Sequence, residues 1–185
     1  RDKQIQSKMI FRKITLSILI SLGIGMNAQP RIPSESTSTV SSSIFDLPPF
    51  EHAVCCIKYH EGLHTKKDYP YVGYGHKLRP GEHYSSNMTP AAAEHLLRKD
   101  LKELCGMFRQ YGQDSLLLVA LAYNIGPYKV LGYKGKYPKS TVLQKLERGD
   151  RNIRDAYVNL CHWRGKRITP IERRQYAELM LLYTP

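Results

Sequence analysis

Residues 60–76 read HEGLHTKKDYPYVGYGH and mark the change from a helix to a hairpin. Before this stretch, Phe50, Val54 and Ile57 are spaced for one face of a helix, and Gly62 is a natural end for it. Within it, a Pro and two further Gly separate short runs of Tyr and Val, which favours strands and tight turns. The stretch therefore predicts a helix followed by a small antiparallel hairpin.

Downstream of the hairpin, the sequence predicts a series of helices. Each is opened by a capping side chain or by a proline in its first turn: Thr89 with Pro90, Asp114, Ser140, and Pro170. The first is predicted to run to Tyr111, because Gly112 follows its apolar stripe. The second is almost wholly apolar over 116–125 and should form the buried centre of the domain. The chain lacks βαβ alternation, which disfavours a Rossmann architecture.

The composition indicates a folded, basic protein. The 185 residues are 42% hydrophobic and 24% charged, which excludes a wholly disordered chain and a polytopic membrane protein. The net charge is +12. Residues 48–185 alone carry 22 Lys and Arg against 13 Asp and Glu. This charge favours an anionic partner, such as nucleic acid, an acidic membrane or a bacterial cell wall.

The N-terminal part of the chain has the layout of a secretory signal. Residues 9–28 contain two basic residues, an uncharged apolar run and a small residue at a candidate cleavage site. An uncleaved anchor is the alternative, although the apolar run is short for a bilayer. Residues 1–8 are interpreted as upstream sequence or a tag, and 29–49 as a linker rich in Ser, Thr and Pro. The folded domain is predicted over 50–185.

The four cysteines leave two possibilities open. Cys55, Cys56, Cys105 and Cys161 have no CxxC spacing. An exported protein could join two of them in a disulfide, but the sequence does not decide among the pairings. Buried free thiols are the alternative.

One chemical interpretation of residues 60–76 is a metal site. The segment His60-Glu61-Gly62-Leu63-His64 matches HExxH, in which two His on one helix face bind zinc and the Glu activates water. Gly62 weakens such a helix, and Pro70 follows closely. His76 or Glu82 could supply a third ligand. A zinc peptidase is therefore kept as an alternative.

The second interpretation is a pair of carboxylates. Glycosidic bonds break when one carboxylic acid protonates the leaving oxygen and a second carboxylate assists directly or through water. Glu61 is predicted at the end of the first helix, where packed surface would suit it to the acid role. Asp68 follows in the turn that enters the hairpin.

Several motifs together resemble one family. Glu61-Gly62-Leu63 and 72–76 (VGYGH) resemble the signature of phage-type lysozymes, the endolysins of glycoside hydrolase family 24. Further similar segments follow in the family's order: 89–100 (TPAAAEHLLRKD), 121–126 (LAYNIG), 140–149 (STVLQKLERG), and the closing Trp163, Gly165, Arg173, Arg174 and Glu178. The resemblance spans about residues 52–183.

The resemblance implies a mainly helical α+β fold of two lobes. A small β-hairpin lobe and a helical lobe would be joined by the long helix that starts at Pro90, with the cleft between them. It also implies a muramidase that cleaves the bond between N-acetylmuramic acid and N-acetylglucosamine in peptidoglycan, without metal or cofactor. Glu61 is then the general acid and Asp68 the second catalytic carboxylate. Tyr71 stands where the family usually has Thr, and the loop between Glu61 and Gly73 is shorter than in most members.

The remaining candidate site residues each have a structural alternative. Tyr71 and Tyr74 could stack on sugar faces, although Tyr74 could equally pack in the core. His76 is also a candidate site residue, and we expect it to support the hairpin and Glu61 rather than to transfer a proton to the sugar. Asn124 could donate to a sugar N-acetyl group or cap a helix. Arg173 and Arg174 could contact stem-peptide carboxylates, or could pair internally with Glu61, Glu172 or Asp155.

The sequence therefore predicts an exported, monomeric peptidoglycan hydrolase of the periplasm or cell surface. Membrane contact would be limited to the signal segment, if uncleaved. A lysozyme-fold wall-binding module with an impaired site is the main alternative. Nucleic-acid binding is disfavoured, because no zinc finger, helix-turn-helix or aromatic–basic repeat is recognised and the chain carries an export signal.

Overall fold

The computed structural model describes residues 43–163 and 165–185 of the chain. The predicted signal segment and most of the predicted linker lie outside the described residues. Within the described part, no helix combines the length and the apolar character needed to cross a membrane.

The described chain is mainly α-helical and carries two small hairpins. The α-helices are α1 (Pro49–Glu61), α2 (Pro90–Phe108), α3 (Ser115–Ile125), α4 (Pro127–Leu131), α5 (Thr141–Glu147), α6 (Arg154–Val158) and α7 (Thr169–Leu182). The strands are β1 (Tyr71–Val72), β2 (His76–Lys77), β3 (His162–Trp163) and β4 (Lys166–Arg167). Short 3-10 segments cover Ile44–Asp46, Lys66–Asp68, Arg109–Asp114 and Asn159–Cys161.

The predicted helix–hairpin unit is confirmed. Helix α1 ends at Glu61, because Gly62 adopts a φ of 65° that other residues rarely adopt, and its N–H donates to the Lys58 carbonyl. Strands β1 and β2 then pair antiparallel, with Val72 opposite His76. This turn at Gly62 leaves Glu61 at the C-terminal end of its helix.

Helix α3 forms the centre of the core, as predicted. Its residues 117–122 are all buried, and the helix packs against α1, α2 and α7. Burying a Leu side chain stabilises a fold by about 1.5–3 kcal/mol, so this apolar helix is a major source of stability. The other helices surround it and position the cleft described below.

Two details of the predicted helices are wrong. Helix α2 ends at Phe108 instead of Tyr111, because the chain tightens into the 3-10 segment Arg109–Asp114, in which Gly112 has a φ of 52°. Asp114 does not cap α3. Its carboxylate instead accepts two hydrogen bonds from the Arg151 guanidinium, at 2.7 and 2.9 Å. A distant arginine thus replaces the local backbone as the partner of this carboxylate.

Two elements were not predicted. Strands β3 and β4 form a second antiparallel hairpin, in which His162 lies opposite Arg167. Helix α4 is only five residues long, in a segment rich in Gly, Tyr and Lys. Neither has enough residues for a hydrophobic period to be recognised.

All four cysteines are free thiols. Cys56 and Cys161 are buried, whereas Cys55 and Cys105 are partly exposed. Burial, aided by the nearby negative charge of Glu178, raises the pKa of the Cys56 thiol to about 12. The structure thus agrees with the free-thiol alternative.

Candidate active site

A cleft of about 1080 Å³ separates the first hairpin from the helical lobe. One wall comes from the hairpin and from α2, through residues such as Tyr71, His76 and Leu104. The other comes from the end of α3, the segment that follows it and the start of α7. Glu61 lies in this cleft, so the two-lobed arrangement implied by the resemblance is present.

The Glu61 carboxyl group is held in one orientation. Its side chain is 14% exposed, and the Arg174 Nη1 atom donates a hydrogen bond to its Oε1 atom. The Oε2 atom lies 3.8 Å from the His64 Nε2 atom, too far for a hydrogen bond. Arg174 therefore fixes one carboxyl oxygen and leaves the other available to a bound molecule.

Gly75 keeps space open beside this carboxyl group. Its φ is 102°, and a Cβ atom there would lie 3.4 Å from the Glu61 Cδ atom and 3.5 Å from Oε2. A larger residue would therefore be strained in its backbone and would crowd the free oxygen.

Arg174 makes the ion pair with Glu61 that the sequence interpretation left open, and it also belongs to a buried polar network that was not predicted. Its Nε atom donates to the Glu178 Oε1 atom at 2.7 Å, and the Tyr157 hydroxyl donates to Glu178 Oε2 at 2.8 Å. Both Arg174 and Glu178 are buried. Arg173, the predicted site arginine, is exposed on α7 and does not line the cleft. Its proposed contact with stem peptides stays a prediction.

Spacing along α7 does not distinguish the two arginines. Arg174 precedes Glu178 and Leu182 at intervals of four, and Arg173 precedes Ala177 and Leu181 in the same way. The packing of the helix in the complete fold makes Arg174 the buried one.

His76 ties the hairpin to α2. Its Nδ1 atom lies 2.7 Å from the Asp100 carboxylate, and its Nε2 atom lies 2.9 Å from the Glu82 carboxylate. A ring with carboxylates at both nitrogens is best satisfied when both nitrogens carry protons. The hydrogen bond to Asp100, and then that to Glu82, raises the pKa of His76. The buried ring thus supports the cleft wall.

Asp68 occupies the short turn that follows Glu61. Its Oδ2 atom accepts hydrogen bonds from the Thr65 backbone N–H at 2.7 Å and from the Thr65 hydroxyl at 3.1 Å. It is partly buried, and it is not among the residues that line the cleft. Its role as second catalytic carboxylate stays a prediction.

The two predicted tyrosines differ in position. Tyr71 lines the cleft, and the Lys77 Nζ atom lies 6.0 Å from the centroid of its ring. Tyr74 packs against the hydrophobic core, and its backbone carbonyl accepts a 3.0 Å hydrogen bond from the Tyr123 hydroxyl. That bond joins α3 to the hairpin and makes Tyr123 a positioning residue that sequence reasoning missed. Burial raises the pKa of Tyr123 well above its ordinary value, so its hydroxyl stays a donor.

Asn124 lines the cleft with an unused donor. Its Nδ2 atom is buried and has no hydrogen-bond partner among the described residues. A buried amide donor without a partner is costly, so a ligand acceptor or water at this position would be stabilised. His60 also lines the cleft, and burial together with the positive charge of Arg174 lowers its pKa.

The HExxH pattern does not form the helical arrangement that a zinc site of this type requires. Helix α1 ends at Glu61, so His60 and His64 lie on opposite sides of the turn at Gly62. His64 is buried, and its backbone N–H donates to the Gly73 carbonyl at 2.7 Å. Within residues 43–163 and 165–185, no three His, Cys, Asp or Glu side chains are arranged to hold a metal ion.

The fold and the cleft together define a lysozyme-like protein with a peptidoglycan hydrolase fold. The sequence model of the phage lysozyme family matches residues 58–178, and the chain belongs to that family. Among solved structures it is similar to the muramidase domain of SpmX from Asticaccaulis excentricus. That match has 25% identity and a TM-score of 0.58, and it covers 72% of this chain and 95% of the other. No curated protein matches the chain.

Proposed function

We propose that this protein is a muramidase that cleaves the bond between N-acetylmuramic acid and N-acetylglucosamine in peptidoglycan. The family makes peptidoglycan the expected substrate class. The observation that carries the proposal is the setting of Glu61, a largely buried carboxyl group in a cleft with one oxygen held by Arg174 and the other facing open space.

In the proposed reaction, Glu61 is the general acid. Its Oε2 atom donates a proton to the glycosidic oxygen as the bond to the anomeric carbon breaks, and the ring carbon develops positive charge. Arg174 holds Oε1, so the carboxyl group does not have to reorient during the step. Asn124 would hold an N-acetyl carbonyl through its unpartnered Nδ2 atom.

The second carboxylate in the proposal is Asp68. It would stabilise the developing cation or orient the attacking water. Its position seven residues after Glu61, in the turn before the hairpin, supports this assignment. The hydrogen bonds from the Thr65 N–H and hydroxyl to its Oδ2 atom hold the carboxylate in that turn.

We further propose that the protein is exported to the periplasm or cell surface and acts as a monomer. Support for export comes from the sequence of residues 9–28 and from the basic charge, which suits an anionic wall. Cell fractionation, with N-terminal sequencing of the product, tests export and cleavage together. Recovery of an unprocessed chain in the cytoplasm would contradict it.

The decisive experiment compares wild type with Glu61→Gln on purified peptidoglycan. We expect turbidity loss and new sugar reducing ends with wild type and a loss of at least about 10²-fold in Glu61→Gln, because an amide cannot supply the proton. The conservative control is Lys99→Gln on the exposed surface of α2. A chelator should change neither result. Equal activity in Glu61→Gln would refute the assignment of the acid.

A second candidate function is a wall-binding module with impaired catalysis. It is favoured by one observation, that Asp68 is bound by Thr65 and lies outside the cleft lining. Under this alternative, wild type pellets with peptidoglycan but releases no reducing ends. An Asp68→Asn variant that retains full hydrolysis would show instead that cleavage proceeds without this carboxylate.

A further inference from the structure

A basic and aromatic segment continues the cleft onto the protein surface. Residues 127–139 (PYKVLGYKGKYPK), here termed the Tyr–Lys loop, contain four Lys, three Tyr and no acidic residue. Lys129, Tyr137 and Lys139 from this loop line the same cleft as Glu61. The loop therefore begins inside the cleft and extends outward from it.

The aromatic side chains of the loop are exposed and grouped. Tyr128 and Tyr133 are each 53% exposed, and their ring centroids lie 5.2 Å apart in an edge-to-face arrangement. Tyr137 is also exposed at the cleft side. A monomer gains nothing from exposing three large rings in one short segment, so a ligand surface is indicated. Rings of this kind pack well on the flat C–H faces of sugars.

Three of the four lysines are free to bind an anion. The Lys139 ammonium forms an ion pair with Glu147 at 2.7 Å. Among the described residues, no acidic side chain pairs with Lys129, Lys134 or Lys136. Lys136 instead lies 5.5 Å from the centroid of the Tyr137 ring. The loop thus offers ammonium groups beside aromatic rings.

The loop is fixed in shape. Tyr133 and Tyr137 exchange two backbone hydrogen bonds, at 2.8 and 2.9 Å, across a tight turn. At Gly132, with a φ of 82°, a Cβ atom would lie 3.0 Å from the Lys139 backbone nitrogen, so the two ends of the loop pack closely. A preformed surface loses little conformational entropy on binding.

We propose that the Tyr–Lys loop is a binding surface for the part of a peptidoglycan strand that lies outside the cleavage cleft. Its tyrosines contact the sugar rings, and Lys134 and Lys136 pair with carboxylates of the stem peptides. This proposal rests on the proposed function for the choice of polymer. It adds a binding site that would favour long strands with intact stem peptides over short sugars.

Binding to the insoluble wall tests the proposal without relying on catalysis. The full-length chain carrying Glu61→Gln is pelleted with intact peptidoglycan and with peptidoglycan whose stem peptides an amidase has removed. Lys134→Gln with Lys136→Gln should weaken binding to the intact wall about fivefold, since two exposed ion pairs are lost, and should leave binding to the stripped glycan unchanged. Tyr128→Ala should weaken binding to the intact wall and to the stripped glycan alike, by about threefold, because a ring that contacts sugars is lost in both cases.

Matched control variants remove the same kinds of side chain, two lysines or one tyrosine, from surfaces outside the Tyr–Lys loop. Lys99→Gln with Lys102→Gln removes two exposed charges from α2, and Tyr176→Ala removes an exposed ring from α7. Both should bind like the parent. The proposal would be overturned if the loop variants bound the wall as tightly as the controls. It would also be overturned if the double lysine variant lost as much affinity for the stripped glycan as for the intact wall. It would also be overturned if the parent bound single-stranded DNA more tightly than the wall and the loop variants lost that binding. If wild type did not hydrolyse peptidoglycan, the proposed function would be refuted. The binding experiment would still test the role of the Tyr–Lys loop, because it does not depend on hydrolysis.

Discussion

Removing Arg174 should destabilise the protein far more than removing an arginine from its surface. Arg174 is buried and donates to Glu61, to Glu178 and, at 3.5 Å, to the Ala120 carbonyl. In Arg174→Met, Glu178 would remain as a fully buried carboxylate whose side chain keeps, among the described residues, only the hydrogen bond from the Tyr157 hydroxyl. The perturbation therefore leaves an uncompensated charge inside the core.

The magnitude follows from the burial of Glu178. Breaking a buried ion pair by removing one partner costs about 3–5 kcal/mol. Glu61 adds little to that figure, because its side chain is partly exposed to the cleft and can be hydrated. We therefore expect Arg174→Met to lower the free energy of unfolding by about 4 kcal/mol. The double variant with Glu178→Met should recover most of the loss, since no unpaired charge then remains in the buried core and Glu61 can be hydrated from the cleft.

Urea unfolding followed by circular dichroism measures both variants. The control is Arg79→Met, which breaks the exposed pair with Glu103 and should cost less than about 1 kcal/mol. The reasoning would be refuted if Arg174→Met were no more destabilising than Arg79→Met, or if the double variant were no more stable than Arg174→Met alone.

Three further predictions concern His76, Gly75 and the thiols. The pKa of His76 is raised in the folded state. Its contribution to the free energy of unfolding should therefore be complete below the unfolded-state pKa of about 6.5 and should be lost as pH rises through the raised folded-state pKa. Urea titrations from about pH 5 to about pH 9 should show the stabilities of wild type and His76→Asn converging at high pH. Gly75→Ala should reduce wall hydrolysis by at least about tenfold, measured as reducing ends, while far-ultraviolet circular dichroism stays native. At pH 8, native Cys56 should resist alkylation while Cys55 reacts, as read by peptide mass spectrometry; equal labelling would contradict the burial of Cys56.

Local signals in the sequence predicted most of the helices. Thr89 accepts a hydrogen bond from the Ala92 N–H, and Ser140 from the Leu143 N–H, as capping residues do. Such signals involve groups only a few residues apart, so the sequence alone reveals them. Asp114 resembled a third cap, but its partner is Arg151, which is 37 residues away and is brought close only by the complete fold.

The site was predicted in part for the same reason. Glu61 was placed correctly at the end of its helix, because Gly62 and the following turn are local. The choice between Arg173 and Arg174 depends on which face of α7 packs inward, and a pair of adjacent arginines does not show this by itself. Tyr123 was read only as part of an apolar run, although its hydroxyl reaches the Tyr74 carbonyl. Tertiary contacts, rather than residue types, decided both roles.

The two walls of the cleft are held by separate sets of polar contacts. On the hairpin side, His76 links the strand to Asp100 of α2 and to Glu82. On the helical side, Arg174 links Glu61 to Glu178 in the core. The apolar helix α3 lies beneath both, and Tyr123 joins it to the hairpin. Because polar contacts require defined distances and angles, each set fixes the geometry of its own wall, and the Tyr123 hydrogen bond to the Tyr74 carbonyl connects the two sides. Glu61 can thus be held next to open space while the protein around it remains closely packed.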